Sequence, residues 1–186
     1  MPKKIRQTIG YLQTLDTNMC LMFNRSSEYD VIKLFFKIIS RLGDGIIWYA
    51  LMIALLIFDG LNAIEPMSHM IFFGGTGTLI YKWLKHKISR PRPYKVNQTI
   101  QIQGRILDQF SFPSGHTLHA VIFTLICSSY YPLLFPCLLI LTFLIGLSRV
   151  ILGLHYPSDV LMGALIGIAV AWTSQYIFPL IIETIG

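Results

Sequence analysis

The run QFSFPSGHTLHAVIFTLICSSYYPLLFPCLLILTFLIGLS (residues 109–148) contains no charged residue and indicates the class of the fold more clearly than any other stretch. A membrane-spanning helix needs about 20 mostly apolar residues, so this run is long enough for two. Pro132 and Pro136 lie in its middle segment, SSYYPLLFP, where they would end one helix and begin the next. The run therefore predicts a hairpin of two transmembrane helices.

Further apolar runs flank this hairpin. Residues 160–182 carry no charge, residues 66–84 are nearly uncharged, and residues 45–58 are uncharged but shorter than ideal. Each predicts one more span, which brings the count to five. Residues 28–42, EYDVIKLFFKIISRL, are ambiguous, because their three cations recur every four residues and would share one helical face. This segment fits either a sixth span or an interfacial amphipathic helix.

These runs predict an all-α fold, a polytopic membrane bundle of about six transmembrane helices. Residues 28–186 would form one membrane-embedded domain, and residues 1–27 a cytoplasmic or interfacial segment with a further helix near 8–24. The first residues, MPKKIRQTIGYLQTLD, lack an apolar stretch long enough for a signal peptide.

Composition supports the membrane interpretation. Hydrophobic residues make up 54% of the chain and charged residues 13%, with a mean hydropathy of +0.60, whereas soluble domains carry about 25% charge. The net charge is +6, and the cations between Lys82 and Arg105 indicate an anionic partner. Phosphate-bearing lipid fits better than nucleic acid, because no nucleic-acid motif accompanies this cluster. The three cysteines show no metal-binding spacing and are interpreted as apolar fillers.

Span counting brings three polar stretches to one membrane surface. They are KHKISRPRP (85–93), PSGH (113–116) and SRVILGLHYPSD (148–159). One transmembrane hairpin separates the second from the third, and the first precedes the second on the same side. The three stretches offer a set of polar residues for one site: Lys85, Arg92, Ser114, His116, Arg149, His155 and Asp159.

This set contains what phosphoryl transfer requires without a metal: cations and N–H donors for the phosphoryl oxygens, a nucleophile, and an acid for the leaving oxygen. Ser114 suits the N-cap or the first turn of a helix whose free N–H groups bind anions, and Gly115 allows a ligand close to the backbone. Arg92 and Arg149 can grip phosphate with planar forks, and Lys85 adds a point charge.

The two histidines of this set receive different roles. Asp159 would lie about one turn into a helix begun by Pro157, where its carboxylate could accept from His155 Nδ1 and leave the lone pair on Nε2. His155 is therefore the better nucleophile. His116 has no carboxylate neighbour in sequence and is the better candidate for the acid. His116 and His119, three residues apart, would also suit a metal, but such pairs are more often polar residues at a helix edge.

The combined pattern K-x6-R-P, P-S-G-H and S-R-x5-H-x3-D resembles that of the type 2 phosphatidic acid phosphatase superfamily. The resemblance covers roughly residues 30–182. It implies a metal-independent membrane lipid phosphatase without cofactor, with a phosphohistidine on His155, Asp159 as its orienter and His116 as acid. It also implies phosphate contacts from the remaining motif residues, namely Lys85, Arg92, Ser114, Gly115 and Arg149.

The resemblance further implies a bacterial inner (cytoplasmic) membrane location, with the amino terminus inside and the active site facing the periplasm or exterior. A count of positive charges would instead place the loop at 82–105 in the cytoplasm. The expected substrates are undecaprenyl pyrophosphate, as first choice, phosphatidylglycerol phosphate and phosphatidate, with a lipid A phosphatase as an alternative. Haloperoxidases and soluble acid phosphatases share the constellation, but the spans argue against both. A non-enzymatic anion or lipid transporter would not need His155 and Asp159 at this spacing.

Several residues near the motifs have more ordinary interpretations. His119 is assigned a supporting position, Arg90 an exposed surface, and Asp44 and Asp59 the ends of spans. Trp48 and Tyr156 are predicted as aromatic anchors at the membrane interface. His69 and His86 are interpreted as structural or interfacial, and Gly74, Gly75 and Gly77 as close-packing positions between helices.

Overall fold

The computed structural model describes residues 3–185, with side chains for residues 10–184. The described chain is built from helices joined by short turns and one longer loop, and the predicted all-α membrane bundle is confirmed. The helices are α1 (Lys3–Arg25), α2 (Asp30–Arg41), α3 (Ile47–Asp59), α4 (Ile64–Ile88), α5 (Pro93–Val96), α6 (Gly115–Tyr130), α7 (Phe135–Ile151) and α8 (Pro157–Ile185).

Five helices run alternately up and down the bundle: α3, α4, α6, α7 and α8. At one end, Tyr131 Oη, which follows α6, donates to Asp59 Oδ2 at the end of α3 at 2.7 Å. At the other end, His116 at the start of α6 meets Asp44, which precedes α3. The loop between α4 and α6 returns to this second end, because Ser111 N donates to Arg90 O at 2.9 Å. The predicted hairpin and its break at the two prolines are both present.

Helix α6 lies at the centre of the bundle and packs against α4, α7 and α8. Its Leu118, Ile122 and Ile126 are fully buried. Small residues on the neighbouring helices allow this approach: a Cβ on Gly77 would lie 2.6 Å from Ile122, and one on Gly167 would lie 2.8 Å from a main-chain carbonyl of α6. The packing role predicted for Gly74 and Gly77 is thereby confirmed, but Gly75 faces open space and that part of the prediction is wrong.

Three stretches of the described chain are long and apolar enough to cross a bilayer: Asp30–Val96, which includes α2 to α5, Pro132–Ile151 and Pro157–Thr184. Helix α2 has 12 residues, which gives a length of about 18 Å against a hydrocarbon core of about 30 Å. Its middle and its last turn both lie at one end of the bundle, because Phe36 packs with Ile151 and Leu152 at the end of α7 and Ser40 accepts from Arg149 Nη1. The count of six spans stays a prediction.

Helix α1 packs against the same end of the bundle as the polar loop. Asp16, Cys20 and Asn24 recur every four residues on its inner face and are all buried, whereas Tyr11, Leu12 and other apolar residues on the outer face are exposed. Asn24 Nδ2 donates to Ile151 O and Gln101 O, each at 2.9 Å. These contacts place residues 16–24 at the same end of the bundle as the polar loop, and the predicted cytoplasmic or interfacial location of residues 1–27 stays a prediction.

Candidate active site

Two buried cations, one in the last turn of α4 and one in the loop that follows it, lie on the side of the bundle end that holds His155. Arg92 is 1% exposed; its Nη1 donates to Leu154 O at 2.7 Å and lies 3.4 Å from His155 Nε2. Lys85, in the last turn of α4, is 5% exposed and donates to Asp108 Oδ2 at 2.8 Å. Pro91 and Pro93 flank Arg92 and restrict the backbone on either side of it. The structure therefore brings the first predicted stretch to the third.

Arg149 approaches from the last turn of α7. Its side chain is 1% exposed, and Nη1 donates to Ser40 Oγ at the end of α2. Within the described part of the chain, Arg149 Nε has no hydrogen-bond partner. A buried guanidinium with a free donor is costly unless an anion completes it. Together with Lys85 and Arg92, Arg149 makes this interior a site suited to a phosphoryl group.

His155 lies in a tight turn between α7 and α8. Its N–H donates to Arg149 O at 3.0 Å, and its ring is 2% exposed. The predicted hydrogen bond from Nδ1 to Asp159 is not formed: Nδ1 lies 3.7 Å from Asp159 Oδ2 and has no partner among the described residues. The reason is that Asp159 Oδ2 instead accepts from Tyr156 N at 2.9 Å. Asp159 nevertheless remains the carboxylate next to Nδ1.

The surroundings of His155 favour the neutral imidazole. Burial, followed by the nearby cationic charges of Arg92, Arg149 and Lys85, holds the pKa of His155 well below its ordinary value. A neutral ring has a lone pair available on one nitrogen, which a nucleophile requires. For Asp108 the charged form is favoured instead. Burial raises the pKa of Asp108, but the hydrogen bond from Lys85 and its charge hold that pKa below its ordinary value.

The PSGH stretch begins α6 as predicted. Ser114 is the N-cap: its Oγ accepts from Thr117 N at 3.5 Å and lies 2.9 Å from Thr117 Oγ1. Ser114 N donates to Asp159 O at 3.0 Å, and a Cβ on Gly163 would lie 2.5 Å from Ser114 O. The start of α6 is thus held against α8, next to the residues that follow His155.

His116 has a carboxylate partner that sequence analysis missed. Its Nε2 lies 2.7 Å from Asp44 Oδ1, and the two side chains are 11% and 16% exposed. Asp44 occupies the turn between α2 and α3, where Gly45 has a positive φ of 123°. This contact is not visible in the sequence, where Asp44 is interpreted as a span end, because the two residues are 72 positions apart and no local pattern joins them.

His116 and His119 do not converge on one point. His119 Nδ1 lies 2.8 Å from Gly115 O, and its Nε2 lies 2.9 Å from Thr78 Oγ1. These bonds fix His119 between α4 and α6, one turn below His116. The geometry agrees with the supporting position predicted for His119.

Three further assignments are wrong. Arg90 is not a surface cation: its Nη1 donates to Asp159 Oδ1 at 2.7 Å and its Nη2 to Asp16 Oδ2 at 2.6 Å. Trp48 and Tyr156 are 2% and 4% exposed, so neither is an interfacial anchor. Tyr156 lies beneath Arg90, whose Cζ is 4.0 Å from the ring centroid. An isolated sequence does not show that α1 covers this face of the site.

A cavity of about 670 Å³ opens between α3 and α4 and reaches His116 and Asp108. Its walls combine apolar groups such as Met52, Ile71 and Phe123 with Lys82. The polar groups Asp44, Asp108 and His116 line the cavity at the end of the bundle that holds the polar loop. A molecule with an apolar chain and an anionic head would match this distribution.

Comparison with known proteins relates the chain to a protein family. A family model described as "PAP2 superfamily" matches residues 67–182, which contain all eight predicted site residues. Phosphatidylglycerophosphatase B of Bacillus subtilis (strain 168) is 31% identical over 110 residues, covering 53% of this chain and 51% of that protein. Decaprenylphosphoryl-5-phosphoribose phosphatase of Mycobacterium tuberculosis (strain H37Rv) is 33% identical over 87 residues, 47% of each chain. The chain spans about half the length of these relatives.

Two solved structures share the fold. Aquifex aeolicus LpxE has a TM-score of 0.74 and 29% identity, and the match covers 86% of this chain and 93% of that one. The PAP2 type phosphatidylglycerolphosphate phosphatase from Bacillus subtilis has a TM-score of 0.70 and 23% identity, with 90% and 86% covered. Most of the bundle is therefore shared with these two bacterial proteins.

Proposed function

The chain belongs to the PAP2 superfamily, and from this premise we propose that it is a membrane lipid phosphatase that removes a terminal phosphate through a phosphohistidine on His155. The observation that carries the proposal is the cluster of three buried cations around one neutral histidine. Lys85, Arg92 and Arg149 converge from three elements, and their charges suit the equatorial oxygens of a phosphoryl group.

In the first step, the His155 Nε2 lone pair attacks phosphorus and the bond from phosphorus to the lipid oxygen breaks. Arg92 Nη1, 3.4 Å from Nε2, turns to a phosphoryl oxygen and releases the lone pair. The ring becomes cationic when Nε2 is phosphorylated, and Asp159, 3.7 Å from Nδ1, stabilises that charge. His116 gives its proton to the leaving oxygen, which departs as the lipid alcohol.

In the second step, water attacks the phosphohistidine. His116, now neutral, accepts a proton from the water, the bond between Nε2 and phosphorus breaks, and inorganic phosphate leaves. Asp44, 2.7 Å from His116 Nε2, stabilises the imidazolium that exists before the first transfer and after the second. Because Nε2 of His116 is hydrogen-bonded to Asp44, the proton that His116 transfers is on its other ring nitrogen, Nδ1. No metal or cofactor enters either step.

The lateral cavity and the named relatives support a lipid phosphate monoester as substrate. The cavity between α3 and α4 lets an apolar chain remain in the bilayer while the head reaches His116. Both curated relatives carry names that denote phosphate monoesters of lipids. Phosphatidylglycerol phosphate and phosphatidate are therefore the first substrates to test, with undecaprenyl pyrophosphate, the first choice from sequence, and a lipid A phosphate as alternatives. The proposed location is a bacterial inner membrane, with the site at the exterior face.

Phosphate release by the purified chain in detergent micelles tests the proposal. Activity on at least one lipid of this panel, retained in EDTA, is expected. His155→Ala should abolish the activity, whereas His86→Ala, which changes an exposed histidine on α4, should not. Loss of activity in EDTA, or turnover by His155→Ala, would contradict the metal-independent phosphohistidine pathway.

A further inference from the structure

The amino-terminal helix contacts the catalytic segment through a chain of buried polar groups. Asp16 Oδ2 accepts from Arg90 Nη2 at 2.6 Å, and Arg90 Nη1 donates to Asp159 Oδ1 at 2.7 Å. Asp16 and Asp159 are 8% and 0% exposed. A carboxylate of α1 is thus separated from the carboxylate beside His155 by one guanidinium.

The same Asp16 also holds the first turn of α8. Ser158 N donates to Asp16 Oδ1 at 3.0 Å, and the Ser158 hydroxyl donates to Asp16 Oδ2. Arg90 Nη1 lies 2.7 Å from Ser158 Oγ. One turn along α1, Cys20 Sγ donates to His155 O at 3.8 Å. Helix α1 therefore fixes the backbone of residues 155–158 as well as the side chain of Arg90.

Asp16 also adds negative charge to the surroundings of His155. Asp16, Arg90 and Asp159 together carry two negative charges and one positive charge, a net charge of −1. Without Asp16, Arg90 and Asp159 form a neutral pair, and less negative charge faces Nδ1 of His155. A ring that becomes cationic on phosphorylation needs this negative charge, and the site is sufficiently buried that water replaces little of it.

From these contacts we propose that Asp16 is a positioning residue for the His155–Asp159 pair and acts through Arg90 and Ser158. Helix α1 is then part of the active site, not a separate amino-terminal segment. The inference rests on the proposed function, because it takes His155 as the nucleophile. It assigns a role to Asp16, which lies outside the three motifs, and to Arg90, which occupies an unspecified position of K-x6-R-P.

Asp16→Asn tests the proposal, because it removes one charge and keeps the shape. The expected result is a roughly 10- to 100-fold fall in kcat, the range known for partners that hold a directly acting group in metal sites, with KM changed little because substrate does not touch Asp16. The loss should be equal for lipid and aryl phosphates, since it acts on the attacking histidine. Glu28→Gln, the same change at an exposed acid after α1, is the matched control and should have no effect. Asp16→Asn combined with Arg90→Gln should lose no more than the stronger single variant, because the two residues act in series.

A readout without turnover separates this proposal from the proposed function. In protein labelled with ¹⁵N at histidine, the imidazole resonances of His155, assigned by their loss in His155→Ala, report the tautomer and environment of the ring. Asp16→Asn should shift these resonances and Glu28→Gln should not. A shift in a protein that releases no phosphate would leave the positioning role standing and refute the phosphatase. Unchanged resonances, or a loss confined to KM or to the amount of folded protein, would overturn the positioning role.

Discussion

Replacing Asp44 tests whether His116 donates the proton to the leaving oxygen. In Asp44→Asn the carboxylate beside His116 Nε2 becomes a neutral amide, and the charge-assisted hydrogen bond of 2.7 Å is lost. Both side chains are mostly buried, so water screens the interaction little. A hydrogen bond to a charged group contributes about 1.5–3 kcal/mol. Since about 1.36 kcal/mol corresponds to a tenfold change in rate, kcat should fall roughly 10- to 150-fold where proton donation limits the rate.

The leaving group decides whether proton donation limits the rate. A lipid alkoxide needs the proton from His116, whereas the phenolate from p-nitrophenyl phosphate is stable without it. The assay therefore compares kcat for a lipid phosphate and for p-nitrophenyl phosphate in Asp44→Asn. The lipid phosphate should show the full loss and the aryl phosphate a small one.

Asp59→Asn is the matched control, because Asp59 is a hydrogen-bonded carboxylate at the other end of α3. It should leave both rates unchanged. Equal losses on both substrates in Asp44→Asn would refute the assignment of Asp44 to His116 as acid. They would indicate a general disturbance of the site instead.

Three further predictions follow from other parts of the site and bundle. Asp108→Asn removes the carboxylate that pairs with Lys85 at 2.8 Å and so frees the lysine for phosphate. Because solvent partly screens this pair, inhibition by orthovanadate, a phosphate analogue, should strengthen only about two- to fivefold. Unchanged inhibition would contradict competition between Asp108 and phosphate for Lys85. The pKa of His155 is held well below 6.5, so as pH falls below 6.5 the unfolded chain takes up a proton on this ring and the folded protein does not. The stability contributed by His155 should therefore decline as pH falls below 6.5, and the fall of kcat/KM on the acid side should occur well below pH 6.5. A fall of kcat/KM centred near pH 6.5 would be the contrary result. Gly167→Ala would place a Cβ 2.8 Å from a carbonyl oxygen of α6 and should cost about 1–3 kcal/mol of stability, measured as a lower Tm. Gly75→Ala, whose Cβ would meet open space, is the control and should leave the Tm unchanged. Equal effects on Tm would contradict the close packing of α6 against α8.

Patterns that operate within one helix or one hairpin were predictable from the sequence. The uncharged run 109–148 predicted two antiparallel helices. PSGH predicted a helix start with Ser114 at the N-cap or in the first turn, and the structure shows Ser114 at the N-cap. Counting spans brought Lys85, Arg92 and Arg149 to one end of the bundle. These features follow from the apolar length that a membrane requires and from the N–H groups at a helix start, both of which are local properties.

Contacts between residues far apart in sequence were not predictable. Asp44 meets His116 and Asp16 meets Arg90 only because α1 and α2 fold against the loop end of the bundle. The charges of Arg90 and Asp44 were therefore assigned to solvent or to span ends. The predicted bond between His155 and Asp159 failed for a related reason: the spacing brings them near each other, but Tyr156 N and Arg90 take the carboxylate oxygens.

The most direct test of the account is whether phosphate passes through His155. The purified chain is mixed with a lipid carrying a radiolabelled terminal phosphate, quenched within one turnover in alkali, and digested. Label that survives alkali, is released by acid and resides on the peptide containing His155 is the predicted result. Turnover without label on the protein, or the same label on His155→Ala, would contradict it.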